Sequence, residues 1–230
     1  MPSRNRIKIY INNCHYHIYN RGVEKRDIFQ DDQDYRVFLS FLKSYLSPIS
    51  ELIHHPLLMT GPGPVRIRPL ESFFGEISLL SYCLMSNHFH LLIYQQPSDG
   101  MQRFMHALCT SYSMYFNKRY KRVGPLFQGP YKAIFVESDT YLIHLSRYIH
   151  LNPLNSEMTG PGTVTIRDYL YSSYPYYLRL KQATWIHPED ILNYFRSAQQ
   201  KDYRDFLSYE SFVEDFAEDS RFVIGKLAID

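Results

Sequence analysis

Two apolar segments joined by a short turn constrain the fold of this 230-residue chain more than any other feature. Residues 76–84 and 88–95 have the length of strands, and Met85-Ser86-Asn87 supplies the turn between them. Strands joined by so short a turn pair antiparallel, because parallel neighbours need a connection of about a dozen residues or more. The sequence therefore predicts a β-hairpin in the middle of the chain.

Strand and helix signals alternate on both sides of this hairpin. Residues 14–20 alternate large and polar side chains as a strand does, and residues 31–46 place their apolar side chains on one helical face behind a capping Asp31 or Asp32. The remaining predicted elements are a helix at 102–120, a strand at 131–136, and a helix that begins after Ser138 and ends near Asn152, since Pro153 follows. The order β-α-β-β-α-β-α predicts an α+β fold, a ferredoxin-like sandwich in which helices cover one face of an antiparallel sheet.

Composition bounds the environment of the protein and the class of its ligand. No apolar run approaches the roughly 18 residues of a membrane span, and the basic N-terminus lacks the apolar part of a secretion signal. The three scattered cysteines, Cys14, Cys83 and Cys109, are typical of a reducing compartment, so we expect a cytoplasmic protein with no membrane partner. The net charge is only +2, but residues 201–230 hold eight acidic and four basic side chains. The rest of the chain is therefore basic, which suits a polyanionic ligand.

The sharpest local feature is the pair of histidines at the start of the second hairpin strand. On a strand, residues two apart point to the same face, so His88 and His90 project side by side while Phe89 faces the other way. Two imidazoles in this arrangement can share one divalent cation. Taken alone, the pattern is a weak signal that favours two ordinary histidines near a hairpin.

A second candidate lies near the end of the last predicted helix. Tyr148 and Asn152 are four residues apart and so lie on one helical face, separate from the apolar stripe. This pattern fits a nucleophile beside a neutral oxygen ligand. A packed tyrosine followed by an asparagine that caps the helix is the alternative.

A third candidate is the basic end of the helix at 102–120 and the loop after it. Cations alternate there with aromatic residues: Lys118, Arg119, Tyr120, Lys121 and Arg122. Cations for phosphates and aromatic rings for unstacked bases are what proteins use to bind single-stranded nucleic acid. A solvated helix end has the same charge pattern.

Four segments occur together and in a fixed order: YHIYNRG at 16–22, CLMSNHFHLLI at 83–93, GPLFQGPYKAIFVES at 124–138 and SRYIHLNPL at 146–154. This combination resembles the single-tyrosine HUH transposases of the insertion-sequence type, in particular the REP-associated tyrosine transposases. The resemblance covers about residues 10–155 and has a weaker echo at 169–174. It is far more specific than any of the motifs alone.

The resemblance implies a role for each matching residue. His88 and His90 correspond to the HUH pair that binds catalytic Mg²⁺ or Mn²⁺, Tyr148 to the nucleophilic tyrosine, and Asn152 to a polar position that can complete the metal site. The implied activity is cleavage and joining of single-stranded DNA through a 5′-phosphotyrosine, beside a hairpin formed by a palindromic repeat. The implied partner is single-stranded or hairpin DNA, bound by a monomer or a homodimer.

The chain departs from the family pattern in the insertion at about 47–75 and again in the segment after Pro153. Residues 1–155 are predicted to form the catalytic domain, with a Pro/Gly-rich insertion at about 47–75, and residues 156–230 a C-terminal helical extension that is acidic from about 201. Residues 59–68, MTGPGPVRIR, and residues 158–167, MTGPGTVTIR, are identical at eight of ten positions. Our hypothesis is that one DNA element was inserted twice and translated in frame, which an alignment of the two coding segments would test.

Two other functions remain open on the sequence alone. A regulatory protein of the same fold would bind hairpin DNA without cutting it, and its binding would survive Tyr148→Phe. An RNA-binding module would prefer RNA to DNA of the same sequence, but it would give the histidine pair no role.

Overall fold

The computed structural model describes residues 10–52, 71–155, 165–196 and 208–214. Its strands are β1 (Cys14–Arg21), β2 (Ile77–Met85), β3 (His88–Gln95) and β4 (Lys132–Phe135). Its α-helices are α1 (Asp32–Leu46), α2 (Ile49–Leu52), α3 (Gly100–Arg119), α4 (Asp139–Leu151), α5 (Tyr174–Tyr177), α6 (Glu189–Arg196) and α7 (Tyr209–Glu214). These elements confirm the predicted order of strands and helices up to α4, except that the short helix α2 was not predicted.

Local capping fixes the start of two of the long helices. The Asp31 side chain accepts a hydrogen bond from the backbone N–H of Asp34, and the Ser138 side chain accepts one from Tyr141. Both side chains satisfy donors that the first helical turn leaves without a partner. The helix starts therefore follow from the local sequence.

The four strands form one antiparallel sheet in the order β2-β3-β1-β4. The connection through α1 places β2 on the far side of β3 from β1, so β1 and β3 are the two central strands. This is the β-α-β-β-α-β arrangement of a ferredoxin-like sheet, and it confirms the predicted α+β class.

Helices α1 and α3 cover one face of the sheet. The strand residues that face them are Tyr16 and Ile18 on β1 and Phe89, Leu91 and Ile93 on β3, all buried. They pack with the apolar side chains of the two helices, including Phe38, Leu42, Phe104, Leu108 and Tyr112. This face contains the larger of the two apolar cores.

The opposite face is also covered, which corrects the prediction of helices on one face only. Leu92 of β3 packs there with Leu145 and Ile149 of α4, and Phe212 of α7 belongs to the same cluster. The apolar stripe of α4 needs a partner, and the second set of alternating strand residues includes apolar side chains that provide it. Helix α4 therefore covers the face of the sheet that carries His88 and His90.

Part of the C-terminal extension pairs with the edge of β2. The Leu84 N–H donates to the Tyr171 carbonyl oxygen at 2.9 Å, and Ser172 forms a bridge with Cys83 on β2. The first repeated decapeptide and most of the second and of the acidic segment lie outside the described residues. Among the helices that are described, none has the length and apolar character needed to cross a membrane.

Candidate metal and nucleophile site

The pairing of β1 with β3 assembles the floor of the candidate site. In this register His17 lies opposite Leu92, Tyr19 opposite His90, and Arg21 opposite His88. Directly opposite side chains in an antiparallel pair share one face of the sheet. The polar residues of β1 thus join the two histidines of β3.

His88 and His90 lie side by side, as the strand period predicts. Their ring centroids are 5.1 Å apart and their planes are nearly perpendicular. The His90 ring is fully buried, whereas His88 is half-buried at the edge of the site. The Asn87 Oδ1 lies 2.6 Å from Nδ1 of His88. The other nitrogen of this ring, Nε2, takes no part in that contact.

His17, to which the sequence assigned no role, supports His90 from β1. Its Nε2 lies 2.9 Å from Nδ1 of His90, and the two rings stack with centroids 5.1 Å apart. Nε2 of His90 is buried and has no hydrogen-bond partner among the described residues. A buried nitrogen without a partner is uncommon in a folded protein, and here it is the one that a bound cation would use.

Replacing His17 by Phe is expected to weaken Mn²⁺ binding by roughly 10- to 100-fold, because the orientation and tautomer of His90 lose their support. Isothermal titration of the DNA-free protein with MnCl₂ measures this. His106→Phe is the matched control, since His106 is exposed on α3. Equal Mn²⁺ affinity in the wild type and His17→Phe would show that His17 does not position a ligand.

Helix α4 places Tyr148 above these rings. The Tyr148 ring packs edge-on against His90, with centroids 5.6 Å apart, and against His17 at 6.4 Å. Only 6% of Tyr148 is exposed. The tyrosine and the histidine pair, 58 residues or more apart in the chain, thus lie in one site.

Asn152 has the capping role that the sequence offered as the alternative, and it also lies near the histidine pair. It is the C-terminal cap of α4, and its Nδ2 donates to the Tyr148 carbonyl oxygen at 3.1 Å. The same side chain lies close to His88 and His90 and favours the protonated form of each ring, which raises its pKa, although burial outweighs this effect. The carboxamide therefore lies between α4 and both histidines.

Burial keeps the three imidazoles neutral. Desolvation lowers the pKa of His17 to about 3 and of His88 to about 4, and it lowers that of His90 well below the ordinary value of 6.5. Arg21 lowers the pKa of His88 and His90 further by its positive charge. Neutral imidazole is the form that binds a metal ion, so no proton has to be displaced at pH 7.

The residues present fit a divalent cation. Nε2 of His90 has no competing partner in the described structure, and a carboxamide oxygen can join the two imidazoles as a third donor. In the described part of the chain no three His, Cys, Asp or Glu side chains form a metal-binding group. The donor set predicted from the sequence is therefore one of neutral ligands.

Arg119 and Tyr120, which the sequence predicts to bind DNA, have intramolecular partners in the structure. The Arg119 guanidinium pairs with Asp31 at 2.5 Å and with Asp34 at 2.6 Å, and the Tyr120 hydroxyl donates to Asp34 at 2.8 Å. The Asp34 side chain is fully buried, so it requires these partners. Both residues hold the end of α3 against the start of α1.

The other three residues of the basic segment remain candidates for DNA binding. Lys118 and Lys121 are exposed, and neither side chain forms an ion pair or a hydrogen bond with the described residues. Arg122 donates to the Asn117 side chain at 3.1 Å and lies over the Phe116 ring. The loop after α3 reaches the site, where the Gln128 N–H donates to the Arg21 carbonyl oxygen at 3.0 Å.

Two alanine variants should separate these roles. Arg119→Ala is expected to lower the melting temperature and to leave the salt dependence of DNA binding unchanged, because it deprives Asp34 of its cation without affecting a phosphate. The double variant Lys118→Ala/Lys121→Ala should reduce the slope of log affinity against log salt by about 1.4, or about 0.7 for each phosphate that is no longer neutralised. Thermal melting and salt titrations with labelled single-stranded DNA measure the two effects. A reduced slope in Arg119→Ala would restore that residue to the DNA-binding surface.

Comparison with known proteins places this site in a family. Residues 74–152 match the family model for IS200-like transposases, and this segment contains His88, His90, Tyr148 and Asn152. The match confirms the resemblance that the four motifs indicated. This segment is therefore similar to the IS200-like transposases, a family of DNA-processing enzymes.

Two solved structures are similar to this chain. One is a REP-associated tyrosine transposase bound to a REP hairpin, with 10% sequence identity, a TM-score of 0.48, and coverage of 80% of this chain and 96% of the other. The second is a Deinococcus radiodurans protein described as a transposase, with 14% identity, a TM-score of 0.37, and coverage of 63% and 95%. A search of curated proteins found no match.

Proposed function

We propose that this protein cleaves single-stranded DNA beside a hairpin and joins strands through a 5′-phosphotyrosine on Tyr148. The observation that carries the proposal is the assembly of the site within one chain. The Tyr148 ring lies against His90, and Asn152, one helical turn later, lies close to both His88 and His90. The family match supports the transposase class, and the four sequence motifs support hairpin DNA as the substrate.

The chemistry is a transesterification at phosphorus. The Tyr148 oxygen loses its proton to water and forms a bond to the phosphorus atom, and the bond from phosphorus to the 3′-oxygen breaks with its electron pair on that oxygen, which takes a proton. The covalent bond conserves the phosphodiester energy. A second 3′-hydroxyl can then reverse the step and join a new strand without ATP.

His88, His90 and the Asn152 oxygen would hold the divalent cation, Mg²⁺ or Mn²⁺. When bound, such an ion polarises the phosphate and stabilises the charge that develops in the transition state. His17 holds the His90 ring so that Nε2 is available, and α4 holds Tyr148 beside the same ring. These residues supply orientation, which accounts for much of the rate of a phosphoryl transfer.

A regulatory protein that binds hairpins without cutting them is the second candidate. The 6% exposure of Tyr148 favours it, because an inactive protein can leave the tyrosine packed against the histidine rings. An active enzyme must expose the hydroxyl to the scissile phosphate when DNA binds. The two candidates therefore differ in whether a covalent complex forms.

The test is a covalent-adduct assay. The purified protein is incubated with MgCl₂ or MnCl₂ and labelled single-stranded DNA that carries a hairpin from the flanks of its own gene, and the products are separated on a denaturing gel. A labelled band at the mass of protein plus DNA, absent with EDTA, supports the transesterase. Tight hairpin binding without this band supports the regulatory protein, and preference for the RNA version of the hairpin would contradict both.

A further inference from the structure

Arg21 lies in this site but has no role in the chemistry proposed above. It is the last residue of β1 and lies directly opposite His88 in the antiparallel pair. Its carbonyl oxygen accepts from Gln128, which ties the loop after α3 to this end of the strand. Arg21 and His88 are both half-buried, so this end of the site is open to solvent.

The Arg21 guanidinium has no partner in the described part of the chain. Its Nε is buried without a hydrogen-bond partner, and none of its nitrogens forms an ion pair with a described carboxylate. Other described arginines are ion-paired, among them Arg26, Arg36, Arg103, Arg119, Arg167 and Arg196. A buried donor left without a partner costs free energy, so it requires an explanation such as an absent ligand.

The charge balance of the site indicates the chemistry of that ligand. The histidines and the carboxamide are neutral, and no described carboxylate completes a metal-binding group with them. Arg21 acts on both histidine rings electrostatically, and Lys132 adds a second positive charge nearby, with its Nζ 5.5 Å from the Tyr19 ring. A divalent cation would add to this positive charge, and only an anionic ligand can balance it.

We propose that Arg21 is a catalytic residue that binds a non-bridging oxygen of the scissile phosphate during attack by Tyr148. This inference rests on the proposed function, because it assigns Arg21 to the same transesterification. An arginine donates two parallel hydrogen bonds to a phosphate and stabilises the added negative charge of the transition state. The phosphate in turn neutralises Arg21, so DNA and the divalent cation favour each other's binding.

Three variants test the proposal: Arg21→Gln, Arg21→Lys, and Arg179→Gln as a control that removes an arginine from an exposed turn after α5. Single-turnover cleavage at saturating hairpin DNA should slow by about 10²- to 10³-fold in Arg21→Gln. Arg21→Lys should be intermediate, and Arg179→Gln should match the wild type. Melting temperatures confirm that each variant is folded.

Mn²⁺ affinity is a second measurement, and Arg21→Gln should raise it although the same change lowers the cleavage rate. Without DNA, Arg21→Gln should bind Mn²⁺ more tightly than the wild type, by up to about tenfold, because a repelling charge has been removed. A residue with a purely structural role would not strengthen metal binding when replaced. Adding hairpin DNA should raise the Mn²⁺ affinity of the wild type more than that of Arg21→Gln.

Each outcome decides one claim. If the wild type cleaves and Arg21→Gln cleaves at the same rate at saturation, Arg21 is not catalytic, even if its DNA affinity falls. If the wild type forms no adduct at all, the proposed function fails, and the two Mn²⁺ titrations still judge whether Arg21 binds the phosphate. Unchanged Mn²⁺ affinity in Arg21→Gln, with and without DNA, would overturn that binding role.

Discussion

Replacing Tyr148 by phenylalanine is expected to abolish the covalent protein–DNA complex and to lower the cleavage rate by roughly 10⁴- to 10⁶-fold. The change removes only the hydroxyl oxygen, which is the proposed nucleophile. The ring remains, and its edge-on packing against His90 and His17 is what holds it in the site. A denaturing gel of the products formed with labelled hairpin DNA and MnCl₂ measures both effects.

Binding measurements make this result specific to chemistry. Tyr148→Phe should retain the Mn²⁺ affinity, the hairpin affinity and the melting temperature of the wild type, because the metal ligands and the packing of the ring stay in place. Tyr94→Phe, on the same face of β3 but near its other end, is the matched control and should form the adduct normally. An adduct of undiminished yield in Tyr148→Phe would assign the nucleophile to another residue.

Replacing both His88 and His90 by alanine should remove metal-dependent behaviour altogether. We expect Mn²⁺ affinity to fall by more than roughly 100-fold, since both nitrogen ligands are removed rather than a supporting residue. In the wild type, Mn²⁺ at 100 times its dissociation constant adds about 2.7 kcal/mol to the free energy of unfolding, which corresponds to roughly 5–10 °C in melting temperature. The double variant should show no such increase.

The double variant also removes buried atoms, so its own melting temperature will be lower. The comparison is therefore the difference between melting temperatures with MnCl₂ and with EDTA, measured for each protein. His106→Ala should show the wild-type difference, because His106 is exposed on α3. If the double variant retained the full Mn²⁺-dependent increase, the cation would bind elsewhere in the chain.

Much of the site was predictable because it depends on local backbone geometry. The two-residue period of a strand places His88 and His90 on one face, and the helical period places Tyr148 and Asn152 on another, whatever the rest of the chain does. The caps Asp31 and Ser138 are equally local, and both helices begin where these residues predict. Such features need only the neighbouring residues to form.

The basic segment shows where local reasoning fails. The sequence pattern gives the same predicted role to Lys118, Arg119, Tyr120 and Lys121. Arg119 and Tyr120 nevertheless contact Asp34, which is about 85 residues earlier in the chain. A charge pattern does not reveal whether a distant buried carboxylate requires a cation. That is decided only when α1 and α3 pack together.

The sequence alone determined the α+β class, the order of the strands and long helices up to α4, and the two pairs of candidate site residues, in β3 and at the end of α4, because short-range periodicity fixes them. The tertiary structure decided which distant residues join those pairs. The register of β1 against β3 brings His17 to His90 and Arg21 to His88, and the packing of α4 on that face brings Tyr148 above them. Register and helix placement depend on burying both faces of the sheet at once, which no single segment specifies.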